Sequence, residues 1–304
     1  MRKREVPLIM AKGFCMGMAD LVPGVSGGTM AFILGIYTRL LAAIRSFDKV
    51  WLLAILKLDV KTAISRPHFS FLIPLLIGLF CAVLFFTRVI SLPDLMRESP
   101  EHIYGLFFGL IVASIIVLMR ELKGFTFADA VTLLLGTAAG LLIINLVPVE
   151  TPNASWFIFL SGCIAICAMI LPGLSGAFLL LILKKYDTII AALGNLDFGI
   201  IIPFILGCVT GLAGFSRLLG WLLEKFYQRT LLVIKGILIA SLWMLWPFQQ
   251  RQFETVAGHE RLVSSQNYLP AQLDNTVIGV VGLVIIGLVT VLIIHTISQR
   301  KGLT

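Results

Sequence analysis

Apolar residues fall along the chain in blocks too long for a soluble core. Six of them approach the roughly 20 residues a helix needs to cross about 30 Å of hydrocarbon: Phe69 to Ile90, Ile103 to Met119, Ala128 to Val147, Ile200 to Leu223, Leu231 to Trp246 and Val277 to Ile297. Two further apolar stretches, about residues 13–37 and 156–186, are interrupted by PGVSGG at Pro23 to Gly28 and PGLSG at Pro172 to Gly176. Proline withdraws a helical donor and glycine removes the bias toward helix, so Pro23, Gly24, Pro172 and Gly173 predict chain breaks there. Broken backbone at membrane depth survives only where protein or a wet cavity satisfies it, so the two breaks are expected to face one another or a shared site.

The broken stretches also match each other. An offset of 149 pairs Pro23 with Pro172, Gly24 with Gly173, Ser26 with Ser175, Gly27 with Gly176 and Tyr37 with Tyr186. Further on, an offset of 129 pairs IPLLIG at Ile73 with IPFILG at Ile202, and Arg88 with Arg217; an offset of 127 pairs GLIVAS at Gly109 with GILIAS at Gly236. The fall from 149 to 129 assigns the first copy an insertion of about 20 residues, inside the amphipathic stretch 39–66. The expected organisation is a first repeat over 1–150 and a second over 151–304.

Composition agrees with a membrane protein. The chain of 304 residues is 59% hydrophobic and 13% charged, against about 25% charged in soluble domains. Its net charge of +8 sits in connectors, which fits a positive-inside bias and not nucleic-acid binding. If each broken stretch is a hairpin returning to its own side, Arg2, Lys3, Arg4, Lys12, the six Lys or Arg of 39–66, Arg120 to Lys123, Glu224 to Arg229 and Arg300 with Lys301 share the cytoplasmic face. The loops near Pro93, Pro148 and the polar stretch Gln249 to Asn275 are then external, and Lys184 with Lys185 lie on the disfavoured side. The predicted fold class is an all-α polytopic membrane protein with an inverted-topology repeat. Each half has one re-entrant broken-helix hairpin and three transmembrane helices, and both termini are cytoplasmic.

The breaks carry the candidate chemistry. Ser26, Gly27, Gly28 and Thr29, with Ser175 and Gly176, can start return helices whose free N–H groups point into the bilayer, a place suited to phosphate. The same residues also serve tight turns and close packing. Arg88 and Arg217, matched late in matched spans, are candidate partners of an anionic ligand, or snorkel to the interface. Asp20, before the first break, corresponds to Met169 in the second; it pairs with an arginine, carries a coupling proton, or caps the break. His68, His102, His259 and His295 are scattered, and no Walker loop or dinucleotide fingerprint occurs, so no enzyme, metal site or cofactor is expected. The five cysteines read as small core residues.

At PGVSGGT with Gly35 to Tyr37, and at ILPGLSG followed by Tyr186, the sequence resembles the bacterial PopT-type undecaprenyl-phosphate translocases over essentially the whole chain. The resemblance implies an inner-membrane carrier returning undecaprenyl phosphate to the cytoplasmic leaflet for cell-envelope synthesis, with membrane lipids and a coupling proton or ion as further partners. Lys184 departs from the pattern, standing where the first copy has Gly35. A secondary transporter of a small soluble anion is the alternative. A lipid-phosphate phosphatase is disfavoured by the missing His and Arg signature.

Overall fold

In the computed structural model the described residues are 5–22, 24–120, 124–146, 148, 151–256 and 259–300. Pro23, Arg2 to Arg4, Glu150 and Lys301 fall outside them. The first stretch forms α1 (Glu5–Asp20), a break, α2 (Gly27–Ile33) and α3 (Tyr37–Arg45). The short helices α4 (Lys49–Leu56) and α5 (Val60–Ser65) follow, then α6 (Phe69–Arg88), α7 (Leu92–Glu98), α8 (Pro100–Arg120) and α9 (Phe127–Ile144). The rest comprises α10 (Ser155–Ile170), α11 (Gly176–Ile182), α12 (Tyr186–Asn195), α13 (Phe198–Lys225), α14 (Tyr227–Met244), strands β1 (Gln249–Val256) and β2 (His259–Asn267), and α15 (Asn275–Arg300). Helices α2 and α11 begin 149 residues apart, as do α3 and α12; α6 and α13 begin 129 apart.

Among the described residues, five helices are long and apolar enough to cross a membrane: α6, α8, α9, α13 and the Asn275–Ile293 part of α15. The apolar block 231–246, expected as a sixth span, lies in α14, whose Arg229 and Lys235 lower its apolar character. Its inner face is nonetheless buried, with Leu232 and Leu238 fully enclosed. One expectation is corrected: the polar stretch after Trp246 holds an antiparallel two-stranded ribbon, Gln249 opposite Asn267, with a bulge between Gln252 and Phe253. Thr255, Val256 and Val263 suit strands, and outside the bilayer a ribbon edge meets water instead of lipid.

Glycines set the helix packing. Gly13 lies against Leu75 and Gly17 against Leu79, so α1 and α6 run parallel. Gly162 lies against Phe204 and Gly211 against Cys163, so α10 and α13 do the same. A Cβ at Gly78 would sit 2.0 Å from the Met10 carbonyl oxygen, and one at Gly207 2.0 Å from that of Phe159, leaving room for glycine alone. The Sγ atoms of Cys163 and Cys167 donate to the Gly207 and Gly211 carbonyls in the same contact. Two further parallel pairs join the ends of the chain's two series: α8 with α15, through Gly105 on Val280 and Gly109 on Val284, and α9 with α14, through Gly136 on Val233 and Gly140 on Ile237. Small residues permit this approach where lipid supplies no hydrophobic drive between helices.

Directions follow from α3. Ser46, just after it, accepts from the His68 N–H at the start of α6, while Arg45 pairs with Glu224 at the end of α13. Thus α6 leaves the region of α3 and α13 arrives there. The amphipathic segment folds as a small unit: Asp48 and Asp59 cap α4 and α5 by accepting from Trp51 N–H and Thr62 N–H, and Trp51 Nε1 donates to the Ala63 carbonyl.

Candidate functional site

The two breaks meet. Thr29 Oγ1 accepts from the Gly173 N–H at 2.8 Å, Ser26 Oγ donates to the Met169 carbonyl at 3.3 Å, and Tyr37 Oη donates to the Ile170 carbonyl at 3.1 Å. Gly24 and Gly173 turn the chain with φ of +86° and +93°, a conformation that glycine adopts without a Cβ penalty. Ser26, Thr29 and Tyr37 are buried. The backbone freed in one stretch is therefore satisfied by the other, as the rule for irregular structure at membrane depth requires.

Asp20 sits at this junction. Its carboxylate accepts from the Gly27 N–H at 2.6 Å, and Ser26 Oγ accepts from the Gly28 N–H at 3.2 Å. The first return helix thus starts with two of its donors already taken. At α11 the equivalent Ser175 makes no side-chain cap, and the position of Asp20 is occupied by Met169. A Cβ at Gly27 would lie 2.5 Å from the Asp20 carboxylate, and one at Gly28 2.6 Å from the Met169 carbonyl, so both contacts need glycine.

A cavity of about 160 Å³ opens beside the junction. Asp20, Gly27, Gly28 and Tyr37 meet Met169 and Leu212 in its wall. The wall is apolar except at the carboxylate, the phenol and the turn backbone, which suits a polar group joined to a hydrocarbon chain.

The two predicted arginines lie elsewhere. Arg88 is exposed at the last residue of α6. Arg217 is exposed on α13, where Nη1 donates to the Ala213 carbonyl at 2.7 Å and Nη2 reaches the Phe47 carbonyl at 3.5 Å. Neither lines the cavity. Because α6 leaves the α3 region and α13 arrives there, the two guanidinium groups stand toward opposite ends of the helix array. Ser175 and Gly176 also lie outside the cavity wall.

Three lysines end on carbonyls of other segments: Lys12 and Lys185, which the sequence marked only by their side of the membrane, and Lys235, which it did not single out. Lys12 Nζ donates to the Leu34 carbonyl at 2.7 Å, closing the end of α2. Lys185, buried, donates to the Thr151 carbonyl and Asn153 Oδ1 and lies over the Phe157 ring, which accounts for a cation on the disfavoured side. Lys235, also buried, donates to the Leu118 carbonyl in the last turn of α8, where a helix end carries partial negative charge. The signal for Lys235 was a lone cation inside the block 231–246. Lys184 adopts φ +50° where Gly35 has +67°, so the second turn keeps its shape despite the side chain.

The chain matches the model of a known family over residues 16–263. It belongs to the undecaprenyl phosphate translocase-like family. Two curated relatives are each named as a polyprenyl-phosphate transporter. The one from Vibrio cholerae is 37% identical over 245 residues, covering 79% of this chain and 77% of the relative. The one from Staphylococcus aureus is 33% identical over 271 residues, covering 78% and 84%. No solved structure matches the chain. Its apolar helices and its transporter relatives make it a multi-pass membrane protein.

Proposed function

We propose that the chain translocates polyprenyl phosphate, undecaprenyl phosphate in particular, between the leaflets of the bacterial inner membrane, returning the carrier lipid to the cytoplasmic side for cell-envelope synthesis. Membership of the translocase-like family and two relatives named as polyprenyl-phosphate transporters support the substrate. Residues 1–150 and 151–304 act as two repeats of opposite orientation, with both termini cytoplasmic. Supporting this are the shared spacings of the helices and the opposite directions of α6 and α13.

The observation that carries the reading is the bonded contact between the two breaks beside a cavity lined by a half-buried carboxylate. A bare phosphate in hydrocarbon carries a prohibitive desolvation cost, so a carrier must offer it polar groups at mid-depth while leaving the prenyl chain in lipid. The turns provide backbone N–H groups there. Asp20 and Ser26 already occupy the N–H groups of Gly27 and Gly28 on the cavity wall, so the donors left for the head group are those at the uncapped start of α11, Ser175 and Gly176, next to the cavity and not in its wall. Arg88 and Arg217 receive the head group at opposite faces and hand it to the junction; Asp20 carries a coupling proton or holds the first break.

Since α8 and α9 pack across the repeats on α15 and α14, a whole half cannot swing. The moving bodies are instead α1–α6 and α10–α13, sliding against a scaffold of α8, α9, α14 and α15. The decisive experiment places the purified protein in vesicles with labelled undecaprenyl phosphate and follows leaflet exposure of the phosphate. We expect exchange that falls about tenfold or more in Arg88→Gln and in Arg217→Gln, the size of one lost charge-assisted bond. Movement of a soluble anion between compartments, with the lipid phosphate left in place, overturns the reading.

A further inference from the structure

We infer that α3 and α13 form a closed gate at one face, built on Arg45, Glu224 and Arg217, and that α12 and α6 form its counterpart at the other face, open in this conformation with Arg88 as its latch. The inference rests on the two-repeat carrier reading and adds which face is shut and by which residues.

On the α3 side several contacts join the first series to the second. Arg45 Nη1 meets Glu224 Oε1 at 2.6 Å. The guanidinium lies against Gly220, where a Cβ would come within 2.3 Å of it. Arg217 reaches the Phe47 carbonyl, and Tyr37 is bonded to Ile170. Tyr37 and Leu41 are each only 4% exposed.

The matched residues on α12 have the opposite fate. Tyr186, counterpart of Tyr37, is 36% exposed, and Ile190, counterpart of Leu41, is 52% exposed. Helix α12 packs on α13 of its own series, while no comparable packing joins it to α6. Had both faces been sealed alike, Ile190 would be covered as Leu41 is. The difference cannot come from sequence character, because both positions are large and aliphatic. Exchanging the two conformations between the repeats carries the α12 apolar face onto α6. It also brings Arg88 to the carbonyl of Leu196 as Arg217 now reaches that of Phe47, and Gly194 to Ser91 as Arg45 now meets Gly220. On this account the two arginines serve as alternate latches, one engaged at a time, in addition to meeting the substrate.

The test uses a protein with its five native cysteines replaced, in vesicles carrying undecaprenyl phosphate. A short bifunctional thiol reagent should join Arg45→Cys to Gly220→Cys in the resting protein and stop leaflet exchange. The same reagent should join Gly194→Cys to Ser91→Cys at least fivefold faster during exchange than at rest. Separately, Gly220→Leu, which displaces the Arg45 guanidinium while keeping every charge, should raise maleimide labelling of Leu40→Cys, on the cavity wall, about tenfold. Exchange that continues with 45 and 220 joined, absence of the 194 to 91 link during exchange, or unchanged labelling at 40 overturns the gate. If the uncrosslinked protein moves no lipid phosphate at all, the carrier reading fails instead, and the resting 45 to 220 link still reports on the geometry.

Discussion

At the first break, Asp20 and Ser26 take the Gly27 and Gly28 N–H groups; at the second, Met169 replaces the carboxylate and Ser175 makes no side-chain cap. The turns are otherwise alike, with the same positive-φ glycine after the proline position and seven-residue return helices 149 residues apart. One break is finished by its own side chains and the other has no side-chain cap at its helix start. Two breaks of matched sequence thus need not be equal in their hydrogen bonding. The shared backbone plan holds a carboxylate on one side and an uncapped helix start on the other.

Moving the carboxylate should break that division most severely. Met169→Asp places an acceptor seven residues before Gly176, the spacing of Asp20 and Gly27. It should lower lipid-phosphate exchange in vesicles by more than tenfold through occupied donors and added negative charge. Asp20→Asn keeps an acceptor for the Gly27 N–H, so the thermal midpoint should hold while exchange drops several-fold. If both variants carry lipid normally, the difference between the breaks has no functional weight.

A smaller effect concerns the turn after each return helix. Lys184 holds a left-handed conformation that Gly35 adopts without penalty. Lys184→Gly should therefore stabilise the protein by up to about 1 kcal/mol, read as a raised melting midpoint with exchange intact. A lowered midpoint would mean that the side chain contributes more than the strain costs.

The mildest change lies in the connector that the first repeat alone possesses. Asp48 accepts from Arg66 and from the Trp51 N–H, and these hold its carboxyl down at about 2. A carboxyl depressed in the fold stabilises it above the unfolded value near 4, and that contribution disappears as the pH falls from about 4 to about 2. Amide protection over α4, residues 49–56, corrected for intrinsic exchange, should weaken across that window in the wild type and weaken less in Asp48→Asn, where only the Asp59 cap of α5 still titrates.

Much of this architecture was legible in the chain. Pro172, Gly24 and Gly173 marked turns because backbone geometry is a local property, and the doubled spacing located matching helices because repeats share it. That the breaks would touch followed from the absence of water in lipid. Other features depended on distant approach. Lys185, Lys235 and Lys12 each end on a carbonyl from another segment, so their partners cannot be read from neighbouring residues. Arg88 and Arg217 were read as partners of an anionic ligand or as snorkelling side chains; each is the twentieth residue of its helix, α6 and α13, and both stand exposed and outside the cavity wall. The ribbon 249–267 lacked a tight-turn signature strong enough to separate it from an irregular loop.

The parallel pairing of α8 with α15 and of α9 with α14 bears on how the protein is made. When the ribosome has delivered only the first 150 residues, Gly109 and Gly136 have no backbone to rest against, since Val284 and Val233 are not yet synthesised. Two bare small-residue surfaces must wait in the bilayer until the later helices insert beside them. Completion of the fold is therefore tied to completion of translation, and the early intermediate is the species a membrane chaperone or protease would meet.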